Sequence, residues 1–476
     1  MRSLTILLIG VLINSVGTGM TAFGLGVFAY QLQGTATAVA LVQLCAFAPI
    51  ILLAPLAGAL ADRFDRRLMM AIGDGGSVLG LGVVLAALSS PSPRLEVILA
   101  GVTASSCLAA LTEPALRASI TDLVPAEDHV RSAGLLQAAT AARYLVSPFL
   151  AGALLPLVGL RALVVMDAAT CLVTVTCSVV VMRALRAAIA SGSAAAAGSA
   201  GARAGAPAEP TEPEGAAGHL LGGWRAVLHH PGLRTIVGLM TVMTLAIGTV
   251  QVLLKPILLP HVDAAAMGRV ETLAATGILA GAALVTLLSR ARPTTLLSAG
   301  TAATGAAMVL LSLRSWTWWV ALSGFAVFAA LSLCQAGAET LVRRSVAADH
   351  QARVWGVISL VTQLGYLAAY LSVGALSDAV LEPLLRPTGA LAPSIGALLG
   401  TGQGRGAALM VALAGLGTIV LALLIHLRRG TLAPAAATQT SPGPLPGAHH
   451  HGETRSGHAP RRIRPAERPI PQEAPS

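Results

Sequence analysis

Three ionisable residues in apolar surroundings are the first candidates for chemistry in this chain. Arg143, Asp74 and Asp167 each stand within a stretch of mostly Ala, Val, Leu and Gly. Because an ionised side chain at membrane depth costs about 2.5 to 3.5 kcal/mol, such a residue is a functional candidate by default. A carboxylate that exchanges an arginine partner for a proton could couple proton movement to helix movement. A permanent buried pair that only fixes packing is the alternative.

A second set of candidates is polar but uncharged. Its members also lie inside apolar segments, and they are Asn14, Tyr144, Gln251, Gln335 and Tyr366. Each alone is more often an interhelical hydrogen bond than a ligand contact. Together they predict an amphipathic cavity. Since only 3% of the residues are aromatic and 11% are charged, that cavity favours a bulky, mostly apolar ligand over a sugar or a highly charged metabolite.

Several kinds of site are missing from the sequence. It has no Gly-Lys-Ser/Thr phosphate-binding motif, no His/Cys/carboxylate cluster with metal-ligand spacing and no Ser/His/Asp arrangement. We therefore predict no enzymatic activity, no metal and no cofactor. Any energy that the protein needs is predicted to come from a proton gradient. The net charge of +10 comes from arginines scattered over loops and termini, which argues against a nucleic-acid partner.

The elements that hold these residues are apolar segments of about 20 residues, long enough for a helix to cross about 30 Å of hydrocarbon. Hydrophobic residues make up 55% of the 476, whereas a soluble protein has about 25% charged residues against 11% here. Backbone groups in lipid must satisfy their own hydrogen bonds, and the segments are too long for barrel strands of about 10 residues. We predict an all-α membrane protein with twelve transmembrane helices. The segments are Leu4–Tyr30, Ala38–Ala61, Leu68–Leu88, Leu95–Leu111, Ser132–Leu155, Leu160–Met182, Leu233–Leu259, Met267–Leu288, Thr294–Leu313, Trp316–Leu341, Val354–Asp378 and Arg405–Leu427.

Composition divides the chain into four parts. We predict an N-terminal six-helix bundle over 1–185, a flexible cytoplasmic linker over 186–232, a C-terminal six-helix bundle over 233–429 and a disordered cytoplasmic tail over 430–476. The linker and tail are rich in Ala, Gly, Pro and Ser, a composition that cannot bury a core. Most basic residues that flank the segments lie on the side of the linker, so the positive-inside rule predicts that both termini are cytoplasmic.

The two predicted bundles share an internal repeat. Six residues recur 222 positions later with the same identity: Arg131, Gly134, Tyr144, Gly152, Ala153 and Leu154 return as Arg353, Gly356, Tyr366, Gly374, Ala375 and Leu376. Such a repeat indicates two structurally equivalent halves, with a substrate path between them.

The sharpest motif, GALADRFDRR, lies between the second and third segments and includes Gly58, Asp62, Arg63, Arg66 and Arg67. It resembles the loop signature of the major facilitator superfamily. The run DRFDRR is similar to the macrolide-efflux and siderophore-exporter branch of that superfamily. The resemblance implies a fold of two pseudo-symmetric six-helix bundles that work by alternating access.

The resemblance also implies a gate. Asp62 would meet the N-terminal end of the helix that starts near Val354, where a helix dipole favours negative charge by about 0.3 to 1 kcal/mol. Arg66 or Arg67 would meet Glu113 at the end of the fourth segment. These contacts would lock the cytoplasmic ends together in the outward-facing state. Arginines that only follow the positive-inside rule are the alternative.

The fifth segment is similar to the antiporter signature of the superfamily, a Gly-Pro step followed by paired glycines. Here Pro148 and Gly152 match, while Ser147 and Ala151 replace glycines. The similarity favours export, and a proline-kinked packing helix is the alternative.

Taken together, the sequence predicts a secondary transporter in the plasma or inner cell membrane. We predict proton-coupled efflux of a lipophilic small molecule, such as a drug or natural product, by a monomer whose partners are substrate, protons and the lipid bilayer. An importer or a lipid flippase on the same fold, and a membrane scaffold that moves nothing, stay open as alternatives.

Overall fold

The computed structural model describes residues 2–123, 128–190, 223–225, 227–346 and 351–427. Helix is the regular structure throughout these ranges, and none of their residues forms a strand. The predicted tail, and residues 191–222 of the predicted linker, lie outside the described residues.

Helices of the N-terminal half precede the linker and those of the C-terminal half follow it. The first half contains α1 (Arg2–Gln33), α2 (Ala36–Arg63), α3 (Arg66–Ser89), α4 (Leu95–Ala109), α5 (Thr112–Leu123), α6 (His129–Leu145) and α7 (Ser147–Ala190). The second contains α8 (Pro231–Leu258), α9 (Ala264–Leu287), α10 (Pro293–Leu313), α11 (Thr317–Ser345), α12 (Gln351–Leu376), a π-helical turn (Ser377–Leu381), α13 (Glu382–Leu384), α14 (Ile395–Leu399) and α15 (Arg405–Leu427).

Side-chain caps explain where several helices begin. The Asp65 carboxylate accepts hydrogen bonds from the backbone N–H groups of Arg67 (2.9 Å) and Leu68 (3.4 Å) at the start of α3. Asp263 accepts one from Ala266 (2.7 Å) at the start of α9. Each cap satisfies N–H groups that have no partner within the helix, which is why short polar residues interrupt the apolar sequence at these points.

The number of crossings agrees with the twelve predicted. Eleven helical segments among the described residues are long and apolar enough to span a membrane, and one of them, Gly134–Ala187, has 54 residues. At 1.5 Å per residue that segment would be about 80 Å long, more than twice a hydrocarbon core. Gly159, with φ 78° and ψ 167°, interrupts α7, so the segment supplies two crossings. The all-α fold of two six-helix bundles is confirmed.

Proline bends the fifth predicted segment, as the sequence indicates. Helix α6 ends at Leu145 and α7 begins at Ser147, with Pro148 directly after it. Proline has no N–H to donate to the preceding turn, so the helix breaks there.

The bundle has two ends, which we call the linker end and the far end. The linker end is where α1 begins, α2 and α7 end and α8 begins. At the far end are the turn between α1 and α2, Gly159, and residues 377–404.

The two halves approach each other closely at the far end, through glycines of the repeat. A Cβ atom added to Gly152 would lie 3.0 Å from the Cα of Gly268 in α9, and one added to Gly374 would lie 2.8 Å from the Cα of Thr37 in α2. At the linker end the contrast is clear: a Cβ on Gly134 or Gly356, in the same repeated helices, meets no atom within 4 Å. The space between the halves therefore opens toward the linker end.

Glycine also brings helices together inside each half. In α3, a Cβ on Gly80 would lie 2.6 Å from the carbonyl oxygen of Gly101 in α4. In α15, a Cβ on Gly415 would lie 2.7 Å from the carbonyl oxygen of Gly305 in α10. Without such small residues the backbones could not pack this closely.

Gly80→Val should lower stability, while Gly82→Val, two residues along the same helix, should not. Valine at position 80 collides with α4 backbone, and such overpacking costs about 1 to 3 kcal/mol. A Cβ on Gly82 meets no atom within 4 Å. Thermal unfolding of the purified variants in detergent measures the difference, and Gly415→Val against Gly417→Val repeats the comparison in the other half. Equal midpoints within each pair would contradict the packing described here.

Candidate functional site

An aromatic group stands between the two halves. The ring of Phe47, in α2, lies 5.8 Å from that of Tyr366 and 5.9 Å from that of Tyr370, both in α12. The two tyrosine rings are 6.2 Å apart. The Tyr370 hydroxyl donates a hydrogen bond to the Gln251 side-chain oxygen of α8 at 2.7 Å. This group combines apolar ring faces with a polar edge.

The predicted cavity residues divide into those near this group and those elsewhere. Gln251 and Tyr366 belong to it, and the exposed side chain of Tyr144, on α6, lies near Tyr366. Asn14 instead accepts hydrogen bonds inside the N-terminal half, the closer being from the Cys171 thiol at 3.3 Å. Its position fits an interhelical contact. Gln335 is exposed on α11 and makes no side-chain hydrogen bond within the ranges that the structure covers.

The predicted coupling residues lie inside the N-terminal half. Asp167, 2% exposed, accepts a hydrogen bond from the Thr18 hydroxyl at 3.0 Å, and Arg143 interacts with it electrostatically. Asp74, 3% exposed, accepts one from the Thr112 hydroxyl at 2.8 Å. Its second carboxylate oxygen has no hydrogen-bond partner among the described residues.

These three side chains form an electrostatic group without a tight ion pair. Asp74 and Asp167 influence each other, but in the described part of the chain no nitrogen of Arg143 comes within 4.0 Å of an oxygen of either carboxylate.

The loop motif lies at the linker end, between α2 and α3. The Arg66 guanidinium donates to the Ala118 carbonyl oxygen of α5 at 2.9 Å. Glu113, at the start of α5, pairs with Arg117 at 2.8 Å. The motif therefore contacts α5, the helix that carries Glu113.

Other members of this motif are described less completely. Arg63 is exposed in the last turn of α2, and a Cβ on Gly58 meets no atom within 4 Å. The backbone of Asp62 is in the same turn, whereas its side chain, and with it the predicted contact near Val354, lies outside what is described.

A buried ion pair near the far end was not among the predicted site residues. The Lys255 ammonium of α8 is 2.7 Å from a Glu271 carboxylate oxygen of α9, with side chains 5% and 18% exposed. The ammonium also lies 5.2 Å from the centroid of the Phe23 ring in α1. The pair thus belongs to one half and packs against the other.

Electrostatics in the turn between α8 and α9 also involve His261. Burial, together with the positive charge of Arg405, lowers the pKa of His261. The imidazole is therefore more easily kept neutral, which limits the accumulation of positive charge at the far end.

A sequence-family comparison identifies the architecture. The family model described as Major Facilitator Superfamily matches residues 7–370. The chain belongs to the major facilitator superfamily. No curated protein sequence matches it.

Solved structures of other superfamily transporters share this fold. A bacterial homolog of the human lysosomal transporter Spinster, in an inward-facing, unoccupied conformation, is 14% identical, with 90% of this chain and 97% of that chain covered and a TM-score of 0.63. A POT family transporter in complex with 5-aminolevulinic acid is 12% identical, with 91% and 97% covered and a TM-score of 0.64. A bacterial homologue of the iron transporter ferroportin, in an inward-facing state, is 14% identical, with 90% and 98% covered and a TM-score of 0.64. At these identities the likeness concerns the fold alone.

Membership of the superfamily makes this chain a multi-pass membrane protein and a secondary transporter rather than an enzyme. Phe47, Tyr370, Lys255 and Glu271 are the residues of the groups described above that the sequence analysis missed. One signal was available for Tyr370, since it follows Tyr366 by four residues and so shares its helix face.

Lys255→Met should destabilise this superfamily member strongly, because it leaves Glu271 buried without its partner. Breaking a buried ion pair in this way costs about 3 to 5 kcal/mol. Replacing both residues, as Lys255→Met with Glu271→Leu, should recover much of the loss. Arg117→Ala is the control, since its exposed pair with Glu113 is worth about 0 to 1 kcal/mol. Unfolding by denaturant in detergent micelles measures all three, and a Lys255→Met variant as stable as Arg117→Ala would refute the argument.

Proposed function

We propose that this transporter exports a lipophilic small molecule, such as a drug or natural product, in exchange for protons. The observation that carries the proposal is the aromatic group between the halves, formed by Phe47, Tyr366 and Tyr370 with Gln251 at its polar edge. Ring faces bind apolar surface well, and a single amide and hydroxyl suffice to orient a ligand. No charged side chain takes part in this group, which suits an uncharged or weakly charged substrate.

Proton coupling is proposed for the buried group of Asp74, Asp167 and Arg143. A proton that binds one carboxylate weakens its attraction to the arginine and removes the cost of a buried charge. Thr18, on α1, donates to Asp167, so a change in the charge of Asp167 acts directly on a helix that also touches the other half through Phe23. This connection supports a link between protonation and movement of the halves.

A linker-end gate completes the proposed cycle. In the outward-facing state, the GALADRFDRR loop would hold the linker ends together, with Asp62 at the N-terminal end of α12 and Arg66 or Arg67 near Glu113. The resemblance of DRFDRR to macrolide-efflux and siderophore-exporter relatives supports export. We further propose a monomer in the plasma or inner membrane, with both termini cytoplasmic and no cofactor beyond the proton gradient.

Vesicle transport tests the direction and the driving force. Inverted membrane vesicles with an acidic interior should accumulate compounds from a panel of fluorescent hydrophobic drugs, and a protonophore should abolish the accumulation. Phe47→Ala should reduce it by about fivefold, since an aromatic contact with a ligand is worth about 1 kcal/mol. Accumulation in right-side-out vesicles would instead identify an importer. Failure in both orientations would reject the export proposal.

Asp74→Asn and Asp167→Asn should each abolish proton-driven export while keeping exchange of substrate across vesicles without a gradient. Asparagine has nearly the same shape as aspartate but cannot bind and release the proton. Asp263→Asn is the matched control, because asparagine is as good a helix cap as aspartate at the start of α9. Normal gradient-driven export in both buried variants would exclude this group from coupling.

A further inference from the structure

A carboxylate of the C-terminal half binds the first turn of a helix in the N-terminal half at the far end. One oxygen of Asp378 accepts a hydrogen bond from the Ala36 backbone N–H at 3.0 Å. The other accepts one from the Thr37 backbone N–H at 2.7 Å and a further one from the Thr37 hydroxyl. About 340 residues of chain separate the two sides of this contact, and it joins α2 to the turn that follows α12.

The N-terminus of α2 needs these acceptors. The first N–H groups of a helix have no partner within it, and they carry the positive end of the helix dipole. The cap residue of α2, Thr35, accepts a hydrogen bond from the Ala38 N–H, at 3.3 Å. Asp378 supplies acceptors for two N–H groups that this cap leaves over. The cap of α2 is therefore shared between the two halves, and it is complete only while they touch.

Local backbone structure places Asp378 for this role. Gly374, one turn earlier, lets α12 approach Thr37. From Ser377 to Leu381 the helix widens into a π-helical turn, a feature that often marks functional sites. The widened turn presents the carboxylate to α2 at the point of closest approach.

Among the described residues, the contact made by Asp378 has no counterpart at the equivalent place in the repeat. The residue 222 positions before Asp378 is Pro156, which has no acceptor in its side chain. The equivalent contact, between Gly152 and Gly268, consists of packed backbone. The Asp378 carboxylate thus adds hydrogen bonds to one of two otherwise equivalent packing contacts.

We propose that Asp378 is the far-end gate of this transporter. Its bonds to Ala36 and Thr37 hold the far end closed, and they must break when the far end opens, so this carboxylate sets the balance between the two access states. The inference rests on the proposed alternating-access function, and it adds a residue that determines the resting state.

Glu382, four residues further on, offers a matched control. Its two carboxylate oxygens accept hydrogen bonds from the backbone N–H groups of Gly404 and Gly406, both at 2.8 Å. It therefore caps the N-terminus of α15, as Asp378 caps that of α2, and both caps are at the far end. Both of its hydrogen-bond partners, however, belong to its own half, so its loss breaks no hydrogen bond between the halves.

Distances between spin labels test the gate. In the full chain with its five native cysteines replaced, labels at Ser90 and Thr388 report on the far end, and labels at Phe64 and Ser289 report on the linker end. All four positions are exposed, and each pair joins the two halves. Pulsed electron paramagnetic resonance in lipid nanodiscs then gives the populations of short and long distances.

Asp378→Ala should raise the ratio of long to short far-end distances by about tenfold or more, because hydrogen bonds to a charged group are among the strong ones. The linker-end distance should shorten in the same variant. Asp378→Asn, which keeps an acceptor oxygen, and Thr37→Val, which removes only the hydroxyl, should give smaller shifts in the same direction. Glu382→Ala should leave the ratio unchanged.

An unchanged ratio in Asp378→Ala, or an equal shift in Glu382→Ala, would overturn the proposal. Should Asp378→Ala fail to fold, the graded shifts of Asp378→Asn and Thr37→Val decide, and no shift in either would overturn it. Vesicle transport separates this inference from the proposed function. A shifted ratio without proton-driven export would leave the gate standing and reject the export proposal, while export with an unchanged ratio would do the reverse.

Discussion

Lipid provides no hydrogen-bond partners, so every polar group of this protein at membrane depth must find one within the chain. That constraint makes the backbone helical and limits where a helix can end. It also makes each buried polar side chain informative, since Asp167, Lys255 and Gln251 all have partners on other helices. Several buried polar atoms nevertheless have no hydrogen-bond partner among the described residues, including the Ser178 and Thr272 hydroxyls and one carboxylate oxygen of Asp74. A buried carboxylate oxygen without a hydrogen-bond donor can accept a proton, so the proposed coupling includes Asp74.

Helix backbones must also approach one another closely where the halves meet, and glycine allows this. The same glycines that define the 222-residue repeat, Gly152 and Gly374, are those at which the halves touch at the far end. Gly134 and Gly356, from the same repeat, face open space at the linker end. Two rigid halves that meet through small residues at one end can separate there without repacking either interior, since helix packing inside each half does not involve these contacts.

Sequence patterns predicted the spans, the break at Pro148 and the repeat well, because apolar length and proline act locally. They also indicated Gln251 and Tyr366. Contacts between halves were harder. A helix that is apolar all round does not show which face meets a neighbour, so Phe47 could not be assigned to Tyr366 from periodicity. Asp378 entered the sequence analysis only as the end of an apolar segment, because its partners at Ala36 and Thr37 become visible only when the chain is folded.

At the far end, a charged side chain joins the two halves directly. The Glu113–Arg117 ion pair at the linker end lies within α5, so it stabilises that helix, by about 0 to 1 kcal/mol, and not a contact between the halves. At the far end, Asp378 binds N–H groups in partly buried surroundings, where hydrogen bonds to a charge contribute about 1.5 to 3 kcal/mol each. These hydrogen bonds therefore favour a closed far end. To open the far end, substrate or protons must favour the outward-facing form by at least the free energy of these hydrogen bonds. A ligand shifts an equilibrium only by its difference in affinity for the two states.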